Sequence, residues 1–133
     1  MGWIMGRIAD FAGKKILVAE DDEMNRALME DIFQNMGCLF EFAVDGNQVV
    51  EKYKQEDFDL ILMDIRMPKK DGIQAAREIR AMAKKRVPII ALTASMVDHE
   101  KQTCLEAGID DFIFKPIIIK DLKNKMTRYL YRK

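Results

Sequence analysis

Four distant short apolar runs each lead into a residue that could do chemistry: KILVA into Glu20 and Asp21, LILM into Asp64, IIAL into Thr93 and FIF into Lys115. In an open parallel sheet the carboxyl ends of the strands share one crevice, so residues at such ends converge. Three acids, a hydroxyl and an amine in one pocket suit a carboxylate that accepts a phosphoryl group with help from a divalent cation. Neighbouring carboxylates repel one another unless a cation intervenes. Mg²⁺ is the natural candidate, with Mn²⁺ as a substitute, because it takes oxygen ligands, keeps several waters and bridges a carboxylate to a phosphoryl oxygen.

Each of these residues alone has a plainer explanation. An Asp after a strand is a common cap or turn former, Thr suits a strand, and Lys at a strand end is often only a solvated charge. Their joint occurrence at successive run ends favours chemistry. Asp64 is the best nucleophile candidate, because it follows LILM directly and precedes the loop IRMPKKDG; a carboxylate oxygen can form an acyl phosphate. Charge developing on the transferred group would be met by the cation, the Lys115 ammonium and the Thr93 hydroxyl. Pro116 restricts the backbone at Lys115, where the amine must be aimed.

The elements that must position these groups follow from the hydrophobic pattern. Short apolar runs alternate with segments of helical period from Lys15 onward, the signature of successive βαβ units. Strands are expected near Lys15 to Ala19, Leu39 to Val44, Leu60 to Met63, Pro88 to Leu92 and Asp111 to Phe114. Helices are expected near Glu23 to Met36, Asn47 to Glu56, Gly72 to Lys84, Val97 to Ala107 and Ile119 to Tyr131. Three central runs are almost wholly apolar, as strands covered on both faces should be. Leu39 to Val44 contains Glu41 and suits an edge. Gly37 and Gly108 close helices, and Asp45-Gly46 marks a turn.

The chain has 133 residues, enough for one domain with a real core. Its 22 acidic and 22 basic side chains cancel, which gives no general electrostatic reason to bind nucleic acid or a membrane surface. No apolar stretch approaches the roughly 18 to 20 residues of a membrane span. Acids cluster at Glu20, Asp21 and Asp22, whereas the final segment is basic through Lys120, Lys123, Lys125, Arg128, Arg132 and Lys133, as the C-terminal end of a helix prefers. Cys38 and Cys104 have no CxxC partner and no secretory signal, so reduced thiols in a cytoplasmic protein are expected. His99, the single histidine, is expected at the surface, and the ten methionines mostly in the core. Residues 1–13 fit no βαβ unit. Trp3, Ile4, Ile8 and Phe11 would share a helical face, so a short packing helix and a linker from a longer parent chain are both open.

Across Lys14 to about Tyr131 the chain resembles the receiver domains of two-component response regulators. ILVAEDDEMNR, LILMDIRMPKKDG, PIIALTAS and CLEAGIDDFIFKPI occur in family order and at family-like spacing. These strings are most similar to receivers attached to hybrid histidine kinases. The resemblance implies an α/β, flavodoxin-like, doubly wound five-stranded parallel sheet in the order 2-1-3-4-5, with helices on both faces. It divides the chain into an extension or linker, 1–13, and a receiver domain, 14–133.

It also implies roles. Asp64 is the phosphoacceptor, Glu20 and Asp21 the acidic pair, Thr93 the switch hydroxyl, Lys115 the family lysine and Phe112 the switch aromatic. Mg²⁺ would be held directly by Asp21, Asp64 and the Arg66 backbone carbonyl, with Glu20 acting through water. The Lys115-Pro116 bond is expected to be cis. A histidine kinase or histidine phosphotransfer domain would donate to Asp64, and the chain would catalyse only its own phosphorylation and dephosphorylation. The face made by the fourth helix, fifth strand and fifth helix would then meet a homodimer partner or a target, in the cytoplasm or tethered to a membrane kinase through the parent chain. Phe112 stands where many relatives carry tyrosine, and Asp22 adds a third acid with no assigned part. Arg66 and Ser95 border the pocket and would tune hydrolysis of the acyl phosphate.

A rival from another class is a Mg²⁺-dependent phosphohydrolase with an aspartyl nucleophile. Such enzymes typically carry a second acid two positions past the nucleophile, and here that position is Arg66.

Overall fold

The computed structural model describes residues 11–94 and 97–131. Trp3, Ile4, Ile8, Ser95, Arg132 and Lys133 lie outside the described residues, as does the side chain of His99. In chain order the elements are β1 (Lys15–Ala19), α1 (Glu23–Met36), β2 (Leu39–Ala43), α2 (Gly46–Gln55) and β3 (Leu60–Asp64). They continue with α3 (Gly72–Arg80), β4 (Ile89–Thr93), α4 (Asp98–Glu106), β5 (Asp111–Phe114) and α5 (Ile119–Leu130). All strand pairs are parallel and the order is β2-β1-β3-β4-β5.

The period of two along each strand divides the core. Leu17, Ala19, Ile61, Met63, Ile89 and Ala91 point to the face covered by α2, α3 and α4, against Val49, Tyr53, Ala75, Ile79 and Cys104. Ile16, Val18, Leu60, Leu62, Ile90 and Leu92 point to the other face, against Met29 and Phe33 of α1 and Leu122 and Met126 of α5. Helical spacing supplies those partners: Leu122, Met126 and Leu130 recur every fourth residue and form the buried stripe of α5. Burying each large aliphatic side chain stabilises by about 1.5 to 3 kcal/mol relative to leaving it exposed. Ile16, Leu17, Leu60, Ile61, Leu62, Ile89, Ile90 and Leu92 are fully buried, so the strands that carry the candidate groups are the firmest part of the fold.

Three aspartates start helices. Asp22 accepts from the Met24 N–H at 2.9 Å, Asp45 from Gln48 at 2.8 Å and Asp71 from Gln74 at 2.9 Å. Such a cap is typically worth about 1 kcal/mol. Asp22 thereby acquires its part: it begins α1. Gly37 ends α1 in the left-handed region, at φ 80°.

The expected boundaries hold to within one residue except at the end of α3, and two of the shifts have a clear physical cause. Helix α3 stops at Arg80 instead of Lys84, because residues 81–84 turn so that the Lys84 ammonium can reach the carbonyls of Tyr53 and Glu56. Strand β4 starts at Ile89, since Pro88 has no N–H to give a ladder; its carbonyl still accepts from Ile61 at 3.0 Å. Phe11 is buried against the α1 and α5 layer, its ring 6.3 Å from that of Tyr131.

Candidate functional site

The strand ends do converge. One carboxylate oxygen from each of Glu20, Asp21 and Asp64 lies within 4.8 Å of the others. Glu20 follows β1, and its N–H is held by the Ala43 carbonyl at 2.9 Å while Arg26 donates to its carbonyl at 3.0 Å. Asp64 ends the wholly buried β3 and accepts the Arg66 N–H on Oδ1 at 3.0 Å. Thr93 ends β4 and is buried; its carbonyl accepts the Lys115 N–H at 2.7 Å. The Lys115-Pro116 bond is cis.

Lys115 Nζ lies 3.0 Å from Glu20 Oε1 and 3.0 Å from Asp64 Oδ2. One ammonium thus bonds two of the three clustered carboxylates, which leaves the cluster net negative. Burial alone would depress the Lys115 ammonium, but its bonds to Glu20 and Asp64 more than offset this and hold it above its ordinary value. Burial pushes the Glu20 carboxyl up, and the bonds from Lys115 and the Asp22 N–H offset only part of that. A second positive charge would relieve Glu20. The donor set of three carboxylates fits a hard, oxygen-seeking divalent cation.

A cleft of about 620 Å³ opens beside the acids, lined by Asp21, Arg66, Met67, Pro68, Ile73 and Glu100 among others. The Arg66 side chain leans across it to Glu100 of α4 at 3.5 Å, a contact between distant elements that nothing in the local sequence signals. Phe112 is already buried, in the cluster with Ala91, Cys104 and Ala107, with Lys101 Nζ 6.0 Å from its ring centre. Cys38 and Cys104 are buried free thiols; burial pushes Cys38 up to about 11 and raises Cys104 as well, which disfavours the nucleophilic thiolate at both.

Residues 16–127 match the model of the response regulator receiver domain family, and the chain belongs to that family. It is 43% identical over 119 residues to hybrid signal transduction histidine kinase G of Dictyostelium discoideum, covering 86% of this chain and 4% of the kinase. The receiver domain of a Pseudomonas aeruginosa sensor histidine kinase, with a magnesium ion coordinated in its active-site cleft, superposes with a TM-score of 0.84 at 38% identity, covering 90% of this chain and 99% of that one. A Saccharomyces cerevisiae receiver domain, solved with a histidine phosphotransfer signalling protein, gives a TM-score of 0.81 at 28% identity over 90% of each chain. No helix among the described residues is long and apolar enough to cross a membrane.

Proposed function

We propose that this chain is the phosphoacceptor module of a phosphorelay, in which Asp64 takes a phosphoryl group from the histidine of a kinase or a histidine phosphotransfer domain. The observation that carries the reading is the Lys115 ammonium held 3.0 Å from both Glu20 and Asp64 among three clustered carboxylates. In the transfer, an Asp64 oxygen forms a bond to phosphorus as the bond from phosphorus to the donor's imidazole nitrogen breaks, and the imidazole departs. Asp21, Asp64 and the Arg66 carbonyl would hold Mg²⁺ directly, with Glu20 behind a water. That ion supplies charge neutralisation for the carboxylates and the phosphoryl oxygens. The Lys115 ammonium offsets charge on the same oxygens, and the Thr93 hydroxyl hydrogen-bonds one of them once the group is in place.

The hydrolase alternative is not favoured, because Arg66 occupies the position where an acid/base carboxyl would be needed. The chain would act only on its own acyl phosphate. A donor has a surface to use: Met24 and Leu28 of α1 are 82% and 66% exposed, and Ile118 and Ile119 at the start of α5 are 59% and 51% exposed. Phe114, 57% exposed on edge strand β5, would belong to the output face with α4 and α5, toward a target or a second copy. The receiver unit is taken as 14–133, with 1–13 as an extension, and a cytoplasmic setting, free or tethered through a parent kinase, suits this role. A phosphorylated histidine phosphotransfer domain, mixed with this chain and Mg²⁺, should pass its label to the wild type and not to Asp64→Asn. Label arriving equally on Asp64→Asn contradicts the proposal.

A further inference from the structure

The loop that leaves Asp64 and carries Arg66 is shaped by a distant element, the start of α2. Within it Lys69 has φ 67°, the left-handed region that L side chains enter only at a cost. The Lys70 N–H closes a tight turn onto the Pro68 carbonyl at 2.7 Å. Gly46 lies directly against that turn: a Cβ built there would stand 2.0 Å from the Lys70 carbonyl oxygen and 2.7 Å from Lys70 Cβ. Gly46 itself has no positive φ, so glycine is needed for space and not for backbone freedom. Next to it, buried Asp45 caps α2 with Oδ1 and presents Oδ2 to Lys69 Nζ at 3.6 Å.

The other end of the loop is equally tight. A Cβ on Gly72 would stand 2.5 Å from the Asp64 carbonyl oxygen, and the Gly72 N–H donates to the Ile65 carbonyl at 2.8 Å. A push at Lys70 therefore has no slack to dissipate before it reaches Asp64 and Arg66. Unfavourable backbone persists where its surroundings enforce it, and such places cluster at functional sites.

We propose that Asp45 and Gly46 are positioning residues for phosphoryl transfer, acting through the Lys69-Lys70 turn on Asp64 and the Arg66 carbonyl. This rests on Asp64 as the phosphoacceptor. Gly46→Ala moves the loop while leaving every ligand in the sequence, so Mg²⁺ affinity read by NMR titration falls roughly tenfold, and labelling by acetyl phosphate slows by a similar factor. Gly13→Ala is the control, since Gly13 has φ +81° but nothing within 4 Å of its added Cβ; it lowers thermal stability and leaves Mg²⁺ affinity unchanged. Lys69→Met covers the case in which Gly46→Ala does not fold. Loss of a nearby cation would by through-space electrostatics tighten Mg²⁺ binding, whereas release of the turn from Asp45 weakens it, about twofold or more. Unchanged Mg²⁺ affinity in Gly46→Ala, or unchanged or tighter binding in Lys69→Met, overturns the inference. Failure of the wild type itself to bind Mg²⁺ or to label at Asp64 would instead overturn the functional proposal.

Discussion

The two ends of the sheet use the same residue types to opposite effect. At the amino ends of the strands, the Arg80 guanidinium donates to the Val87 carbonyl at 2.6 Å, the Gly108 carbonyl at 2.8 Å and Asp110 at 3.0 Å. Asp110 also accepts from Arg86 at 2.5 Å and from the Ile89 N–H at 2.9 Å. Asp111 beside it accepts from Lys125 at 2.7 Å and Tyr129 at 3.0 Å. At the carboxyl ends, the Lys115 ammonium bonds Glu20 and Asp64, and the Asp21 carboxylate is clustered with those two acids. Among the described residues no fully buried side-chain polar atom lacks a hydrogen-bond partner, so what is incomplete at the carboxyl end is charge and not hydrogen bonding. The amino end holds the fold, while the carboxyl end spends stability on a negative pocket that a cation and a phosphoryl group can complete.

Arg80→Ala should break the comparison most visibly. It takes the donors from the Val87 and Gly108 carbonyls and leaves Asp110 only Arg86 and the Ile89 N–H, which costs about 2 to 3 kcal/mol of folding stability in urea denaturation. Mg²⁺ affinity of the folded fraction should not change; a parallel loss would mean that the two ends are not separate systems.

Asp21→Asn is the mirror experiment. Removing one of three mutually repelling acids should leave the melting temperature unchanged or higher, while Mg²⁺ affinity falls at least about tenfold for loss of a ligand charge. Unchanged affinity counts against Asp21 as a ligand.

Thr93→Ala sharpens the account of the carboxyl end. It should still accept phosphate at Asp64 yet lose most of the amide NMR change that beryllofluoride produces along Val97 to Phe114. Because Phe112 is already buried, that change should centre on Thr93 and α4 more than on the ring. A full response in the variant would show that the switch is built without this hydroxyl.

Acidification gives the smallest, graded contrast. Burial would raise the Asp111 carboxyl, but its bonds from Lys125, the Phe112 N–H and Tyr129 outweigh this and set it below the usual range. Its stabilisation is therefore present above the unfolded value of about 3.9 and is lost as pH falls through the lower folded value. Glu20 runs the other way. Without a cation its raised carboxyl weighs against the fold as pH rises from the unfolded value of about 4.3 through the higher folded one. Protons then compete with Mg²⁺ at Glu20, so Mg²⁺ affinity should weaken as pH drops just above the ordinary carboxylate range, and Glu20→Gln should flatten that slope. A slope unchanged in Glu20→Gln would remove Glu20 from the competition.

Much of this was legible in the sequence because the signals are local. The unbroken apolar runs LILM and IIAL reported strands buried on both faces, and residues at run ends were bound to meet once the strands were parallel. Glu41 marked β2 as an edge, where it now pairs with Lys15 at 3.0 Å and Lys52 at 3.2 Å. Asp22 could have been recognised as a cap from its place before α1, but three acids in a row obscured which one began the helix. Contacts between distant segments were not legible. Gly46 against the Lys70 carbonyl, Arg66 toward Glu100, and the early end of α3 at Arg80 depend on how two elements approach, which no period encodes.

The most direct test of the central claim is covalent. Incubation with acetyl phosphate and Mg²⁺, followed by borohydride trapping and peptide mass spectrometry, should place a single modification on Asp64, absent in Asp64→Asn and lost when Mg²⁺ is chelated. Label on another residue, or incorporation that persists in Asp64→Asn, would contradict it.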